Sequence, residues 1–277
     1  MPFLAGNLYV DQPLTRAAVA GMQRADNFVA MRAFPRLIVD KPSGLYHKWL
    51  IADLNRNEMV VRGDNSPARV ATFGKEDATY SVPTESLAYD LNDTARAAAS
   101  SALNPAIVIP QLLGYKALIR LEAMVAALFT SGSWYRTVTG ANADSISEGT
   151  TSDRVRWSAT STDPIVQLLQ EIEFQSKLTG FEPDALIFGR KAWTSFRTNP
   201  YVLASLSGTG GVIRNRPATT AEVAALLDLK FVGVSKAVYN SAGQNLAASN
   251  ARIIPEDSAL LYYRGAQGDD PGEWTDA

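Results

Sequence analysis

The side chains able to do chemistry are few, and their spacing suits none of the common reactions. His47 is the single histidine, and there is no cysteine. One imidazole excludes a metal centre built on two histidines and weakens any Ser-His-Asp relay. The lack of cysteine removes thiolate metal sites, cysteine nucleophiles and disulfides together, which fits a reducing cytoplasm. His47 lies in the aromatic stretch Leu45-Tyr46-His47-Lys48-Trp49 and reads as an ordinary half-exposed side chain.

Glu171 and Glu173 offer two carboxylates for acid–base work. Two residues apart on a helix they point away from each other, so they are expected on a solvated face. The run Ser207-Gly208-Thr209-Gly210-Gly211 suggests a phosphate cradle but lacks both the spacing and the lysine of one, and reads as a mobile surface loop. Trp134, Tyr135 and Trp157, interleaved with Arg136, Arg154 and Arg156, are of the type that stacks bases. Packing with a cationic fringe is the preferred reading. Asp269 and Asp270 read as an acidic tail rather than a cation site. The expectation is therefore a protein with no catalytic, cofactor-binding or metal-binding residue, and not an enzyme.

With 277 residues, of which 46% are hydrophobic and 19% charged, the chain has room for one large domain or two modest ones. Its 26 basic and 28 acidic side chains leave a net charge of −2, which gives no large positive field for gripping phosphates. Sequence-specific DNA binding is disfavoured, whereas a shell around DNA is permitted. No stretch reaches the roughly 18 apolar residues of a membrane span, and the opening MPFLAGNLYVDQPL lacks a signal-peptide pattern. A soluble, unsecreted product is expected.

Residues 1 to about 35 carry a helical stretch from Thr15 to Phe28 whose apolar positions are too sparse to bury the segment alone, so it reads as an arm that packs on something else. From Arg36 to Val82 short β-like runs, LIVD, LYHKWLIAD and RVATFGK, alternate with turn formers, and predict a long hairpin with a charged tip near residues 55–58. Such a ribbon is marginal alone. A long helix follows to Thr130, with Pro105 and Pro110 as alternative starts and Leu113, Ala117, Leu121, Met124, Val125 and Leu128 as its apolar series. Residues 136–162 have the composition of an exposed loop or a solvated β segment and read as a hinge between halves. Asp163-Pro164 then starts a helix that Gly180 stops, and the strand ALIFG, the helix RKAWTSFRT, the helix AEVAALLDL capped by Thr219/Thr220, the run FVGVSKAVY as a strand and its exit, and a last strand at residues 258–263 complete an α/β alternation.

The order of these pieces resembles the Hong Kong 97-type major capsid proteins of tailed bacteriophages. The phrases that carry the likeness are Asp11-Gln12-Pro13-Leu14-Thr15 before a helix, Phe34-Pro35, Val39-Asp40-Lys41 and the aromatic hairpin; LLGYKALIRLEAMVAALFTSGSW; and Gly180-Phe181-Glu182-Pro183-Asp184 before an apolar strand, with Asn199-Pro200 beyond it. Each phrase has a local reason to exist, and the joint order gives the signal. The resemblance implies an α+β Hong Kong 97-type capsid fold: an N-terminal arm over 1–35, an extended E-loop hairpin over 36–85, a P domain with the spine helix over 86–162, and an axial A domain over 163–277. One departure is that the sequence reaches Ala277 soon after the last A-domain strand, where relatives usually return a strand or two to the P domain; the span 163–277 leaves room for such a return, and either the tail is short here or residues are missing. The start at the arm implies that any scaffold is a separate protein.

The same resemblance implies a structural subunit that self-assembles through hexamers and pentamers into a head shell around phage double-stranded DNA. The subunit would assemble in the bacterial host cytoplasm and reside in the virion capsid, with portal, scaffold or decoration proteins as partners, nonspecific contact with DNA and no membrane. Inter-subunit contacts are placed at Phe34, Leu37, Tyr46, Trp49 and Arg56 of the arm and hairpin, and at Gly208, Gly210 and Gly211 near the symmetry axes. The covalent cross-linking of one relative is not carried over, because its reacting residues have no match here. An encapsulin-type cellular compartment is the nearest rival, and a soluble α/β enzyme with an unrecognised site is the rival of another class.

Overall fold

The computed structural model describes residues 25–34, 38–64, 66–71, 74–89, 105–130, 134, 137–141, 151–207, 216–243 and 246–264. A 3-10 turn, Ala25–Asn27, leads into the four-residue helix α1, Ala30–Ala33. Phe28, Val29, Ala30 and Ala33 are buried. Most of the expected arm, including the start of its helical stretch at Thr15, lies outside the described residues; at its inner end, four apolar side chains in six residues find shelter in this chain's own core.

Strands β1, Ser43–Trp49, and β2, Lys75–Ser81, pair antiparallel, with Tyr46 opposite Ala78 and His47 opposite Asp77. Gly44 lies under the Tyr80 ring, where a Cβ would come within 2.8 Å. The neighbouring runs expected as strands behave differently. Residues 38–42 form no strand, Ile51–Leu54 turn into a short helix, α2, and residues 69–71 are irregular. Pairing ends where Leu50 N–H donates to Gly74 O at 3.2 Å, and the chain between them makes a long excursion rather than a tight charged tip.

Helix α3, Pro105–Thr130, starts at the earlier of the two candidate prolines and runs through Pro110. Its 26 residues make a rod of roughly 39 Å. Strands β3, Thr137–Ala141, and β4, Thr151–Val155, pair in parallel.

Asp163 caps helix α4, Pro164–Thr179, by accepting the Ile165 and Val166 N–H groups, and Gly180 closes it in the left-handed region at φ 80°. Strand β5, Ala185–Phe188, precedes α5, Arg190–Arg197. No side chain caps α5. Instead Glu256 O accepts its Lys191 and Ala192 N–H groups at 3.0 and 2.9 Å, which brings the turn at residues 255–258 over Gly189. Asn199 caps the further helix α6, Pro200–Ser205, and donates through Nδ2 to Trp157 O and Thr162 O. Helix α7, Thr220–Leu226, opens with a Thr219/Glu222 capping box. The run expected as a strand and its exit holds β6, Phe231–Val234, and, in the exit, a further short strand, β7, Val238–Asn240; β7 pairs with β8, Asn250–Arg252, and β9 is Ala259–Tyr262.

Strand β5 is the centre of a three-stranded sheet, parallel to β6 and antiparallel to β9. It is buried along its whole length, and its alternate residues serve two cores. Leu186 and Phe188 join Ile165, Leu168, Trp193, Phe196, Val202 and Val223 on one side. Ala185 and Ile187 join Val29, Ala33, Val125, Leu260 and Tyr262 on the other. The long helix and the N-terminal segment are thus packed on one face of the sheet.

Candidate interaction surface

Few of the polar residues singled out in the sequence come together. His47 Nδ1 lies 2.5 Å from Asp77 Oδ1, an exposed cross-strand pair on the hairpin. Glu173 is exposed, but Glu171 is buried, which corrects its placement on a solvated face: it shares the inward stripe of α4 with Pro164, Gln167 and Leu168. Among the described residues no three His, Asp or Glu side chains converge as a metal ion would require, and no helix is long and apolar enough to cross a membrane.

Trp157 packs edge-on against Phe188 and Phe196, with ring centroids 5.8 and 5.5 Å away, and its indole N–H donates to Gln167 Oε1 at 3.0 Å. The Trp134 indole donates to Leu128 O at 2.6 Å. Both rings are used in packing rather than held out as a platform for bases. Tyr135 and Arg136 lie outside the described residues, as do Leu37, Gly208, Gly210 and Gly211.

The open apolar surface is concentrated in the hairpin. Leu45, Tyr46, Trp49 and Leu50 are exposed, Trp49 to 58%. Beyond the neck the exposure rises, with Met59 at 93%, Val61 at 100%, and Val60 and Val70 also open. Lys48 Nζ sits 5.6 Å from the Tyr46 ring centroid. Asp53 organises the neck: Oδ2 accepts the Gly74 N–H at 2.9 Å, and Oδ1 accepts from Arg56 at 2.6 Å. Arg56 also reaches Glu58 at 3.5 Å. The hairpin is therefore shaped at its root but has no core of its own. Phe34 differs from the other contact candidates, since it is already stacked on Tyr262 with centroids 4.9 Å apart.

Helix α3 supplies a second apolar surface. Its core side is made by Tyr115, Leu118, Ile119, Glu122, Val125, Ala126 and Phe129. Ala117, Leu121, Met124 and Leu128, spaced by four, three and four residues, form a stripe on a different side and are exposed. The apolar series read from the sequence was mostly this outward stripe. Glu122, set among apolar neighbours, concealed the inward one. Bordering that stripe, three residues after Ala117 and four before Met124, Arg120 grips Glu85, donating from Nε at 3.0 and 2.8 Å and from its terminal nitrogen, and holds that carboxyl below its ordinary range.

No family model and no curated protein matches the sequence. Among solved structures, the chain is similar to the crystal structure of a phage-related protein from Bordetella bronchiseptica RB50, with a TM-score of 0.53 and 17% identity. The match covers 96% of this chain and 80% of that one. The likeness is one of fold. It extends over nearly the whole chain, so the hairpin, the long helix and the sheet are compared together.

Proposed function

We propose that this chain is a shell-forming structural subunit of a tailed phage, a major capsid protein of the Hong Kong 97 type with no catalytic role. One observation carries the reading: a two-stranded ribbon and its excursion hold Leu45, Trp49, Met59, Val60, Val61 and Val70 open to solvent. Apolar surface in such quantity on an extended element is what a docking limb needs. The outward stripe of α3 supports the same reading as a surface of matching chemistry on the next copy. At about 25 cal/mol per Å² of apolar area, modest burial at each contact adds up when every subunit gives and receives one.

The fold likeness to a phage-related protein favours a phage particle over a cellular compartment. Residues 25–34 add nothing to this argument, since Phe28, Val29, Ala30 and Ala33 are seated in their own core; the hairpin and the α3 stripe carry it. In the shell the subunits would form hexamers and pentamers enclosing double-stranded DNA, with a net charge of −2 allowing only loose contact with the genome.

The purified protein tests the reading by electron microscopy and sedimentation. Closed particles of megadalton mass are expected. A folded monomer or small oligomer under all assembly conditions would refute it. Portal, protease and terminase genes beside the coding sequence would mark a phage shell, and a cargo enzyme gene a compartment.

A further inference from the structure

Glu122 is the one acidic side chain in the described structure with no exposed surface at all, and it sits on α3 where that helix meets the N-terminal segment. Oε2 accepts the N–H groups of Val29 and Ala30, both at 2.9 Å, and Oε1 accepts the Ser235 hydroxyl at 2.6 Å. Among the described residues no lysine, arginine or histidine forms an ion pair with it. The carboxylate thus does for α1 what no local side chain does, because its N-cap residue is Val29.

The far end of the same segment is also held by one side chain. The buried Tyr262 hydroxyl donates to Ala33 O at 2.5 Å, and burial pushes that hydroxyl's pKa up, so it remains a donor. Between the two ends Val29 fills the space over Gly233, where a Cβ would lie 2.8 Å from its methyl. A helix of four residues has no stability of its own. Among the described residues the segment makes no strand pairing with the sheet, and its backbone is joined to the body by these two side chains and by one bond from Lys236 N–H to Asn27 O at 3.1 Å.

We infer that residues 25–34 form a releasable latch, locked by Glu122 and Tyr262, which opens as a unit while the α/β core stays folded. The other core, on the far side of β5, does not touch the latch, and the β5 backbone is bonded to β6 and β9. Opening would free residues 25–34 from the body in one step. The inference stands on contacts within one subunit and is independent of the shell reading.

Hydrogen exchange on the full chain in rising, sub-denaturing urea tests it. The amides of residues 29–34 are expected to open at lower urea than those of 185–188. Glu122→Gln keeps the shape but offers one acceptor oxygen in place of two, and should speed exchange at residues 29–34 about tenfold or more without changing 185–188. Tyr262→Phe should act in the same direction, and serves if Glu122→Gln does not fold. Identical urea dependence for the two regions would overturn the latch, and so would normal protection at residues 29–34 in both variants.

Discussion

Asp53 and Gly74, 21 positions apart, are joined by a hydrogen bond of 2.9 Å from the Gly74 N–H to the Asp53 carboxylate. The bond closes the neck of the hairpin excursion, and the same carboxylate restrains Arg56. Asp53→Ala should therefore loosen the excursion without touching the core. Proteolytic cleavage within residues 55–71 should rise about fivefold, as expected for about 1 kcal/mol of local opening, while the thermal midpoint of the core stays fixed. An unchanged cleavage rate would show that the Leu50–Gly74 backbone bond closes the neck unaided.

Deleting Asn55 to Ser66 removes Met59, Val60 and Val61 and leaves both cores intact. The circular dichroism and unfolding midpoint of the remaining chain should stay close to wild type, and closed particles should disappear from electron micrographs. Normal particles from this deletion would refute the role given to the hairpin.

The two sides of α3 should respond oppositely to substitution. Leu121→Ser with Met124→Ser alters the outward stripe, and should cost less than about 1 kcal/mol in urea unfolding of the subunit while lowering particle yield. Val125→Ala hollows the inward side and should cost about 1–3 kcal/mol. A large loss of stability from the outward pair would mean that the stripe is packed within the subunit.

Gly189 is required by a close approach and not by its backbone angles. A Cβ there would lie 2.1 Å from Pro255 O and 2.7 Å from Glu256 O, in the turn whose carbonyl caps α5. Gly189→Ala should destabilise the protein by at least about 2 kcal/mol. Gly180→Ala, strained by φ of 80° and with its Cβ 3.3 Å from the movable Asn55 Nδ2, should cost about 1 kcal/mol. Urea midpoints of the two variants compare the mechanisms directly.

Much of the second half of the chain was legible because its signals are local. Asp163-Pro164, Gly180 and Thr219 act on their own helices through bonds of two to four residues' reach, and all three work as the sequence suggests. The first half was harder, since its outcomes depend on distant partners. Ile51–Leu54 continue the alternation of β1, yet they turn helical where the neck closes on Gly74. The N-terminal segment looked too poor in apolar residues to bury itself because Glu122, 93 positions away from Val29, was not readable as its cap. The exposed stripe of α3 was legible as a stripe, but not as the outward one. Of the contact candidates, Tyr46 and Trp49 are exposed on β1 and Arg56 is held by Asp53 beyond the neck, whereas Phe34 has its ring against Tyr262.

The hydroxyl of Tyr262 and the carbonyl of Ala33 are 229 positions apart. A ribosome making this polypeptide must finish almost everything between them before the early segment has anywhere to sit. During that interval Phe28, Val29 and Phe34 wait uncovered, so nascent chains should be clients for a holding chaperone, and truncated translation products should aggregate rather than linger as soluble fragments.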